Sequence, residues 1–238
     1  MKSFDIVTIT VNPALDKSAH FSGLVPEQKI RCQAPLYDAG GGGINVSKAI
    51  SRLEGTSLAV FASGGPSGEM IKEILNKELI SFQAIETKNW TRESFVAVDD
   101  NTNSQYRFNF PGTSITDAER NEIIKTVESQ DSKFIVVSGS LREGLPVDFY
   151  QEIAEISKKS NSKLIVDTSG EALKKALEIG VYLIKPNVGE LAKLIGVEKL
   201  EMEEVNAAAK KNHCKGWSRN CGCFSGASRC CISYQRFL

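Results

Sequence analysis

The sequence contains no apolar run long enough to cross a membrane, and its charges cancel. Spanning a bilayer takes about 18 or more consecutive apolar residues, and the chain has no such run. Its 29 Lys and Arg residues balance 29 Asp and Glu residues, so no net charge favours nucleic acid or a membrane surface. Residues 1–7 include an acid and no small-residue cleavage site, so we expect no signal peptide. We therefore expect neither a nucleic-acid nor a membrane partner.

Cysteine is almost absent from the body of the chain. Only Cys32 occurs in the first 213 residues, whereas five cysteines occur in the last 25. A secreted disulfide-bonded protein distributes its cysteines through the fold, so the body is typical of a cytoplasmic protein. At 238 residues, the chain suits one large domain or one domain with a small appendage. We divide it into a domain, residues 1–211, and a tail, residues 212–238.

The tail differs from the domain in composition. From residue 214 onward it has four basic residues, no acidic residue and no apolar periodicity, so the pattern predicts neither a strand nor a helix. It is a disordered or non-native end, a frameshift product, or a zinc site. Thiolate and imidazole ligands suit zinc, although the spacing differs from the common C-x2-C pairs. The zinc ligands would be His213, Cys214, Cys221, Cys223, Cys230 and Cys231.

The frameshift interpretation follows from the genetic code. Allowed codons for residues 212–237, read one base out of frame, can encode a helix end, a strand-like run V-V-V-S-L-G and a glycine-rich turn P-A-G-A. That order is typical of an α/β protein, whereas the tail itself is not. Sequencing the encoding DNA past codon 211 tests this interpretation.

Short β-rich runs alternate with helical segments through the domain. The runs, rich in Val, Ile and Phe, lie at residues 4–11, 57–62, 134–138, 163–167 and 181–185. Apolar stripes of helical spacing lie at residues 44–53, 70–79, 123–127, 149–156 and 191–195. The alternation predicts an α/β fold with a parallel sheet covered by helices on both faces. In such sheets, ligands bind at the carboxyl ends of the strands.

Two segments depart from this alternation, and we expect them to form a small β-sheet lid. Residues 20–37 are polar and extended, and residues 93–110 have the pattern of a hairpin. Aromatic and polar residues alternate in its second half, in the order Tyr106, Arg107, Phe108, Asn109 and Phe110. The apolar face needs a cover, either the active site or a second copy of the chain.

A glycine run and an aspartate are the first candidates for ligand contacts. Residues 40–43 are all glycine and precede Asn45 at the start of the first long helix. Glycines let backbone amides approach a ligand, and a helix start favours an anion or a hydroxyl-rich group. A flexible loop is the alternative. Asp16, after the first strand, can accept hydrogen bonds from two sugar hydroxyls, or it is an ordinary turn aspartate.

Lys185, Asn187 and Glu190 follow a strand and begin a helix. Pro186 suits the first helical turn, and Asn187 and Glu190, three residues apart, share one face. Two oxygen ligands beside a lysine suit a Mg²⁺–phosphate group. The same residues could instead cap the helix. Asp167 ends the preceding strand and could join this polar cluster.

The motifs of the domain, in their order, resemble those of the ribokinase-like sugar kinases. The motifs are Asn12-Pro13-Ala14-Leu15-Asp16, the glycine run with Asn45, Trp90-Thr91-Arg92, Pro111-Gly112, Ser138-Gly139-Ser140-Leu141, residues 166–173 and residues 185–191. The resemblance covers residues 4 to about 211 and is strongest to the ribokinase-type ATP-dependent 6-phosphofructokinases. It implies a Rossmann-like, three-layer αβα domain with a β-sheet lid at about 14–37 and 88–110, and a homodimer formed lid against lid.

The resemblance also implies MgATP-dependent phosphorylation of fructose 6-phosphate to fructose 1,6-bisphosphate, a reaction of glycolysis. It implies substrate contacts from Asp16, Lys29, Arg31, Gly41, Gly42, Asn45, Arg92 and Ser140, with Arg92 on the sugar phosphate. It implies ATP and phosphate contacts from Lys185, Asn187 and Glu190, and Mg²⁺ bound, partly through water, by Asp167, Asn187 and Glu190. Positive side chains are expected because phosphoryl transfer needs charge stabilisation more than covalent help.

Two departures from the family pattern matter. The family usually has the motif S-G-S-L-P-P-G. This chain has Arg142 and Glu143 in place of the two prolines, which is a modest change at a turn. The family's G-A-G-D, whose Asp takes the proton from the attacking hydroxyl, does not occur, so we identify no catalytic residue and expect this chain to be essentially inactive. The alternatives are a 1-phosphofructokinase or tagatose-6-phosphate kinase, or a non-catalytic protein that binds a sugar phosphate.

Overall fold

The computed structural model describes residues 4–214, 218–225 and 229–234, and their side chains as far as residue 209. Strands and helices alternate through most of these residues, as the sequence predicted. The strands are β1 (Ile6–Thr10), β2 (Ala14–Phe21), β3 (Leu36–Gly40), β4 (Leu58–Ser63), β5 (Phe82–Glu86), β6 (Arg92–Asp99), β7 (Ser104–Asn109), β8 (Phe134–Ser138), β9 (Lys163–Asp167), β10 (Val181–Ile184), β11 (Ser218–Ser225) and β12 (Arg229–Tyr234).

The helices follow the strands of the main sheet. They are α1 (Gly42–Arg52), α2 (Gly65–Lys77), α3 (Asp117–Glu128), α4 (Phe149–Lys159), α5 (Gly170–Ile179), α6 (Val188–Ile195) and α7 (Val205–Cys214), with a 3₁₀ turn at Met202–Glu204. Among the described residues, no helix is both long and apolar enough to cross a membrane.

The main sheet has the order β12-β11-β10-β9-β8-β1-β4-β5. Its pairs are parallel except for β11 with β12. Alternate residues of β4 enter different clusters of the core, because successive side chains of a strand point to opposite faces. Val60 packs in the larger cluster with residues of α3, α4 and α5, and Phe61 packs in the smaller one with Ile44 and Ile71. Helices therefore cover both faces, which confirms the predicted α/β fold.

The second sheet is the predicted lid. Its order is β3-β2-β6-β7, with β2 and β6 parallel and the two outer pairs antiparallel. The segment predicted at residues 20–37 is mostly the connection between β2 and β3, with one isolated bridge from Phe21 to Cys32. Both strands that flank this connection extend beyond the segment, and β2 begins at Ala14.

The sequence pattern was wrong about the secondary structure of the tail. Helix α7 crosses the boundary at residue 211, and β11 pairs with the edge of β10. The antiparallel strand β12 then pairs with β11. Backbone hydrogen bonds to an open parallel edge do not require apolar alternation, so the pattern carries no signal for these strands. The main sheet therefore continues past residue 211.

Candidate functional site

The glycine run brings the start of α1 against the carboxyl ends of β1 and β8. Gly41 has a φ of 127°, which L side chains rarely adopt. A Cβ on Gly42 would lie 2.1 Å from Ser138 Oγ, and a Cβ on Gly43 would lie 2.6 Å from the carbonyl oxygen of Ile9. Glycine is thus required for α1 to begin this close to the strand ends, which is where the sheet topology predicts a ligand.

Asp16 lies in the lid strand β2 and not in a turn. It is paired across the sheet with Asp38 of β3 and Ser94 of β6. Its carboxylate rests on Gly40, where a Cβ would lie 2.1 Å from Asp16 Oδ2. Burial raises the pKa of Asp16 above its ordinary value, against the opposing effects of the Ser94 hydrogen bond and the charge of Arg92. A partly desolvated carboxylate is a strong acceptor for ligand hydroxyls.

Asp16 and Arg92 line one cavity on the polar face of the lid. The cavity has a volume of about 450 Å³, within the usual range for small-molecule sites. Its polar lining includes Asp16, Asp38, Arg92, Ser94, Arg107 and Asn109. The sequence analysis named only Asp16 and Arg92 of this set. The alternation after the hairpin turn placed Arg107 and Asn109 on the polar face, so it could have identified them as site residues. Asp38 has no such signal, because only strand register brings it beside Asp16.

Arg92 begins β6 and is half-buried. Its Nη1 donates to the carbonyl oxygen of Phe110 at 3.5 Å, and its buried Nε has no hydrogen-bond partner among the described residues. A guanidinium with unused donors beside a cavity is suited to an anion such as a phosphate, which accepts two parallel N–H bonds.

Lys29 and Arg31 lie apart from Asp16. Both are exposed in the connection between β2 and β3. They line a different cavity, of about 320 Å³, together with His20 and Gln33. Within one chain, the structure therefore does not bring these two predicted substrate contacts to the cavity that Asp16 lines.

Asn45 and Ser140 both lie close in sequence to residues of the contact between the glycine run and β8. Asn45 is exposed in the first turn of α1. Ser140 Oγ, after β8, accepts a hydrogen bond of 3.3 Å from Asn12 Nδ2, after β1. A Cβ on Gly112 would lie 2.5 Å from Asn12 Oδ1, so the chain leaving the lid also reaches this point. The motifs at 12–16, 111–112 and 138–141 thus meet at one edge of the sheet.

A row of polar contacts links the ends of β8, β9 and β10. Ser138 Oγ donates to Asp167 Oδ2 at 3.0 Å, and Lys185 Nζ pairs with Asp167 Oδ1 at 3.0 Å. The carbonyl oxygen of Asp167 also accepts from the Gly139 amide at 3.0 Å. Because Gly42 packs on Ser138, this row begins beside the glycine run and ends at Lys185.

Asn187 and Glu190 form a capping box at the start of α6. Asn187 Oδ1 accepts from the Glu190 amide and Glu190 Oε2 accepts from the Asn187 amide, both at 2.8 Å. The two side chains also line a cavity of about 530 Å³, together with Lys174 and Lys193. In the capping box, each side chain accepts one hydrogen bond on one oxygen. Other lone pairs of the two side chains can therefore bind a ligand.

The predicted magnesium ligands divide between two places. Asn187 and Glu190 line the cavity, whereas Asp167 is not part of its lining and is held by Ser138 and Lys185. Among the described residues, no group of three or more His, Cys, Asp or Glu side chains could hold a metal ion. The zinc ligands suggested for the tail are side chains outside the described residues.

Comparison with known proteins gives the family. A profile described as "pfkB family carbohydrate kinase" matches residues 2–219. The chain is 41% identical over 206 residues to the ATP-dependent 6-phosphofructokinase isozyme 2 of Mycobacterium tuberculosis, and 34% identical over 207 residues to the 1-phosphofructokinase of Bacillus subtilis. These alignments cover 86% and 87% of the chain, and 60% and 67% of the relatives. The chain thus spans about three fifths of the mycobacterial relative.

A solved structure has the same architecture. The phosphofructokinase-2 of Escherichia coli, in complex with fructose-6-phosphate, superimposes with a TM-score of 0.93 at 32% sequence identity. The match covers 98% of this chain and 78% of that one. The profile match, the sequence identity and the common fold point to one family. The chain belongs to the pfkB family of carbohydrate kinases.

Proposed function

We propose that the protein is a sugar-phosphate kinase that uses ATP to phosphorylate fructose 6-phosphate, giving fructose 1,6-bisphosphate. The observation that carries the proposal is the cavity that Asp16 and Arg92 both line, beside the glycine-lined start of α1. A carboxylate and a guanidinium are complementary to a molecule with hydroxyls at one end and a phosphate at the other. The 41% identity to a 6-phosphofructokinase supports this choice of sugar.

The cavity and the neighbouring start of α1 suggest a role for each group. Asp16 accepts hydrogen bonds from sugar hydroxyls, and Asn45 with the amides of Gly41 and Gly42 holds the reacting end of the sugar. Arg92 binds the 6-phosphate through its unused donors. In the transfer, the sugar hydroxyl oxygen bonds to the γ-phosphorus as the bond to the leaving ADP oxygen breaks, and the hydroxyl proton passes to a base. The expectation that the 238-residue chain lacks this base, and turns over slowly or not at all, stays a prediction.

The nucleotide side is assigned to the ends of β9 and β10. Lys185 offsets the negative charge of a phosphate, and its pairing with Asp167 fixes its position. The carboxylate and amide oxygens of Glu190 and Asn187 are of the kind that Mg²⁺ takes, so these residues would hold a hydrated Mg²⁺. When bound, Mg²⁺ neutralises charge on the phosphates.

Titration calorimetry with fructose 6-phosphate tests the sugar site. Asp16→Ala is expected to weaken binding about 10- to 100-fold, because a charge-assisted hydrogen bond is worth about 1.5–3 kcal/mol. Asp5→Ala is the matched control, because Asp5 is an exposed acid that pairs with Lys133 away from the lid. Equal affinity of Asp16→Ala and the unaltered chain would refute the assignment of this site.

A 1-phosphofructokinase is the second candidate, supported by the 34% identity to the Bacillus subtilis enzyme. Parallel titrations with fructose 1-phosphate and fructose 6-phosphate separate the two. Binding of a sugar phosphate without release of ADP from MgATP would instead identify a non-catalytic binding protein. We place the reaction in glycolysis and in the cytoplasm, in line with the scarcity of cysteine in the domain.

A homodimer through the lid completes the proposal. Phe108 packs against Phe95 with ring centroids 6.0 Å apart, yet Phe108 stays 49% exposed and Tyr37 39% exposed. Strand register puts Phe108, Phe95 and Tyr37 in one row, on the face opposite Arg107 and Asn109. This partly uncovered aromatic row supports association with a second copy.

A further inference from the structure

Arg142 is a buried arginine at a position where the family pattern has a proline. The residue is 3% exposed, although the sequence suggested only a modest change at a turn. A buried guanidinium is costly unless its donors find acceptors, so its partners show what it holds together. Burial lowers the pKa of Arg142, and the nearby Glu119 carboxylate partly opposes this effect.

The guanidinium of Arg142 contacts two separate loops. Its Nε donates to the carbonyl oxygen of Thr113 and its Nη2 donates to Thr113 Oγ1. The same Nη2 lies 3.4 Å from the carbonyl oxygen of Asn89 and 3.5 Å from that of Trp90. Thr113 Oγ1 in turn donates to the Trp90 carbonyl oxygen at 2.8 Å, so the two loops are joined directly as well as through Arg142.

These two loops are the two ends of the lid hairpin. One leads from β5 into β6, and the other leads from β7 to α3. Residue 92, at the start of β6, follows immediately after the first loop. The loop that carries Arg142 is itself tied to the second, because the Ile115 amide donates to the Glu143 carbonyl oxygen at 2.9 Å. A single side chain of the main domain thus reaches both connections of the hairpin.

The first loop has other anchors. Asn89 Nδ2 donates to the Ser114 carbonyl oxygen at 3.0 Å and to Ser114 Oγ at 3.1 Å, and the Lys88 amide donates to Glu119 Oε1 at 2.6 Å. Ser67 Oγ donates to the Thr91 carbonyl oxygen at 2.6 Å, and Thr91 Oγ1 accepts from the Gly64 amide at 3.0 Å. These bonds tie Thr91 to the start of α2, whereas Arg142 ties Asn89 and Trp90 to the loop around Thr113. Arg142 therefore adds one guanidinium of the main domain that contacts both ends of the hairpin, beside the direct Asn89–Ser114 and Thr113–Trp90 bonds.

We propose that Arg142 is a positioning residue that holds the base of the lid hairpin closed, and so sets the place of Arg92 in the sugar-phosphate cavity. We call this contact of Arg142 with both ends of the hairpin the clamp. The expected effect of the clamp on sugar binding rests on the proposed function, whereas the clamp itself rests on the contacts of Arg142 alone. Arg142 acts through the loops, since the 450 Å³ cavity is lined by Arg92 and not by Arg142.

Hydrogen exchange and calorimetry on the 238-residue chain test the clamp. Arg142→Met keeps the apolar stem and removes the fork of donors. We expect amides at 89–92 and 110–115 to exchange at least about 10-fold faster, with no change in β1 and β8, and fructose 6-phosphate to bind about 10-fold more weakly. Arg142→Lys keeps the charge but has fewer aligned donors. We expect its exchange rates and its affinity for fructose 6-phosphate to lie between those of the unaltered chain and those of Arg142→Met.

Arg120→Met is the matched control. Arg120 is also a partly buried arginine; its side chain pairs with Glu152 on α4 and makes no hydrogen bond to either loop among the described residues. Unchanged exchange in both loops of Arg142→Met, or faster exchange spread evenly over the chain, would overturn the clamp. If Arg142→Met does not fold, Arg142→Lys, which keeps the stem and the charge and loses the fork of donors, is measured in the same way and decides. Failure of the unaltered chain to bind fructose 6-phosphate would refute the proposed function. The clamp would still be tested by the exchange rates of Arg142→Met compared with those of the unaltered chain.

Discussion

At the scale of single residues, the ionisation of Asp16 links the geometry of the cavity to a measurable pH dependence. Its pKa is raised by burial, so the carboxylate forms at a higher pH than in an ordinary aspartate. Because the folded pKa lies above the unfolded one, ionising Asp16 costs stability as pH rises above the unfolded value. We expect Asp16→Asn to weaken sugar binding without lowering the thermal midpoint at neutral pH, as is common for residues kept for function.

Lys48 is one of the charged groups that act on the pKa of Asp16, after the larger effect of burial. Its side chain is 5% exposed, and its Nζ pairs with Asp38 and, at 3.3 Å, with Glu78. The charge of Lys48 lowers the pKa of Asp16, whereas that of Asp38 raises it. We expect Lys48→Met to move the loss of fructose 6-phosphate binding on acidification to a higher pH. The titration of the ligand itself is common to all variants and cancels in the comparison.

A matched lysine provides the control for Lys48. Lys72 also pairs with two carboxylates, Glu69 at 2.6 Å and Glu86 at 2.8 Å, but on the outer side of α2. Lys72→Met should leave the pH dependence of sugar binding unchanged. An equal shift in the two variants would show that the change comes from net charge and not from the position of Lys48 beside Asp38.

At the scale of helices, comparing two capping boxes can distinguish a structural role of Asn187 from a ligand-binding role. Thr116 with Glu119 begins α3 in the same way as Asn187 with Glu190 begins α6. Thr116→Ala and Asn187→Ala should each cost about 1 kcal/mol in the free energy of unfolding, measured in urea. Only Asn187→Ala should also weaken binding of MgATP, measured by calorimetry. Equal MgATP affinity in both variants would assign Asn187 to capping alone.

Elements were predictable where the apolar pattern is strong and local. The runs at 134–138 and 163–167 coincide with β8 and β9, because central parallel strands are buried on both faces. The edge strand β5 was missed, since only Ile85 of its five residues is fully buried. Of the candidate site, Asp16 and Arg92 were named from motifs. The role of Arg142 was missed because its partners lie 29 and more residues away in the sequence.

At the scale of the whole molecule, the uncovered aromatic row of the lid predicts the oligomeric state. Phe108→Asp should convert a dimer to a monomer in sedimentation velocity at micromolar concentration, because a charge would be buried in the contact. Leu53→Asp is the control: Leu53 is 83% exposed at the end of α1 and away from the lid. A monomer in the unaltered chain, or a dimer in Phe108→Asp, would contradict association through this face.

The sequence by itself determined the α/β class, the lid, the glycine-lined helix start and the family resemblance. These features can be predicted from the spacing of residues that are near one another in the sequence. Such residues are selected together for burial on one face or for close approach of the backbone. Only the tertiary structure decided which distant side chains meet. Strand register put Asp38 beside Asp16, packing separated Asp167 from the cavity of Asn187 and Glu190, and an open sheet edge accepted strands from the tail. Such contacts depend on pairing and burial between segments remote in sequence, which no local pattern encodes.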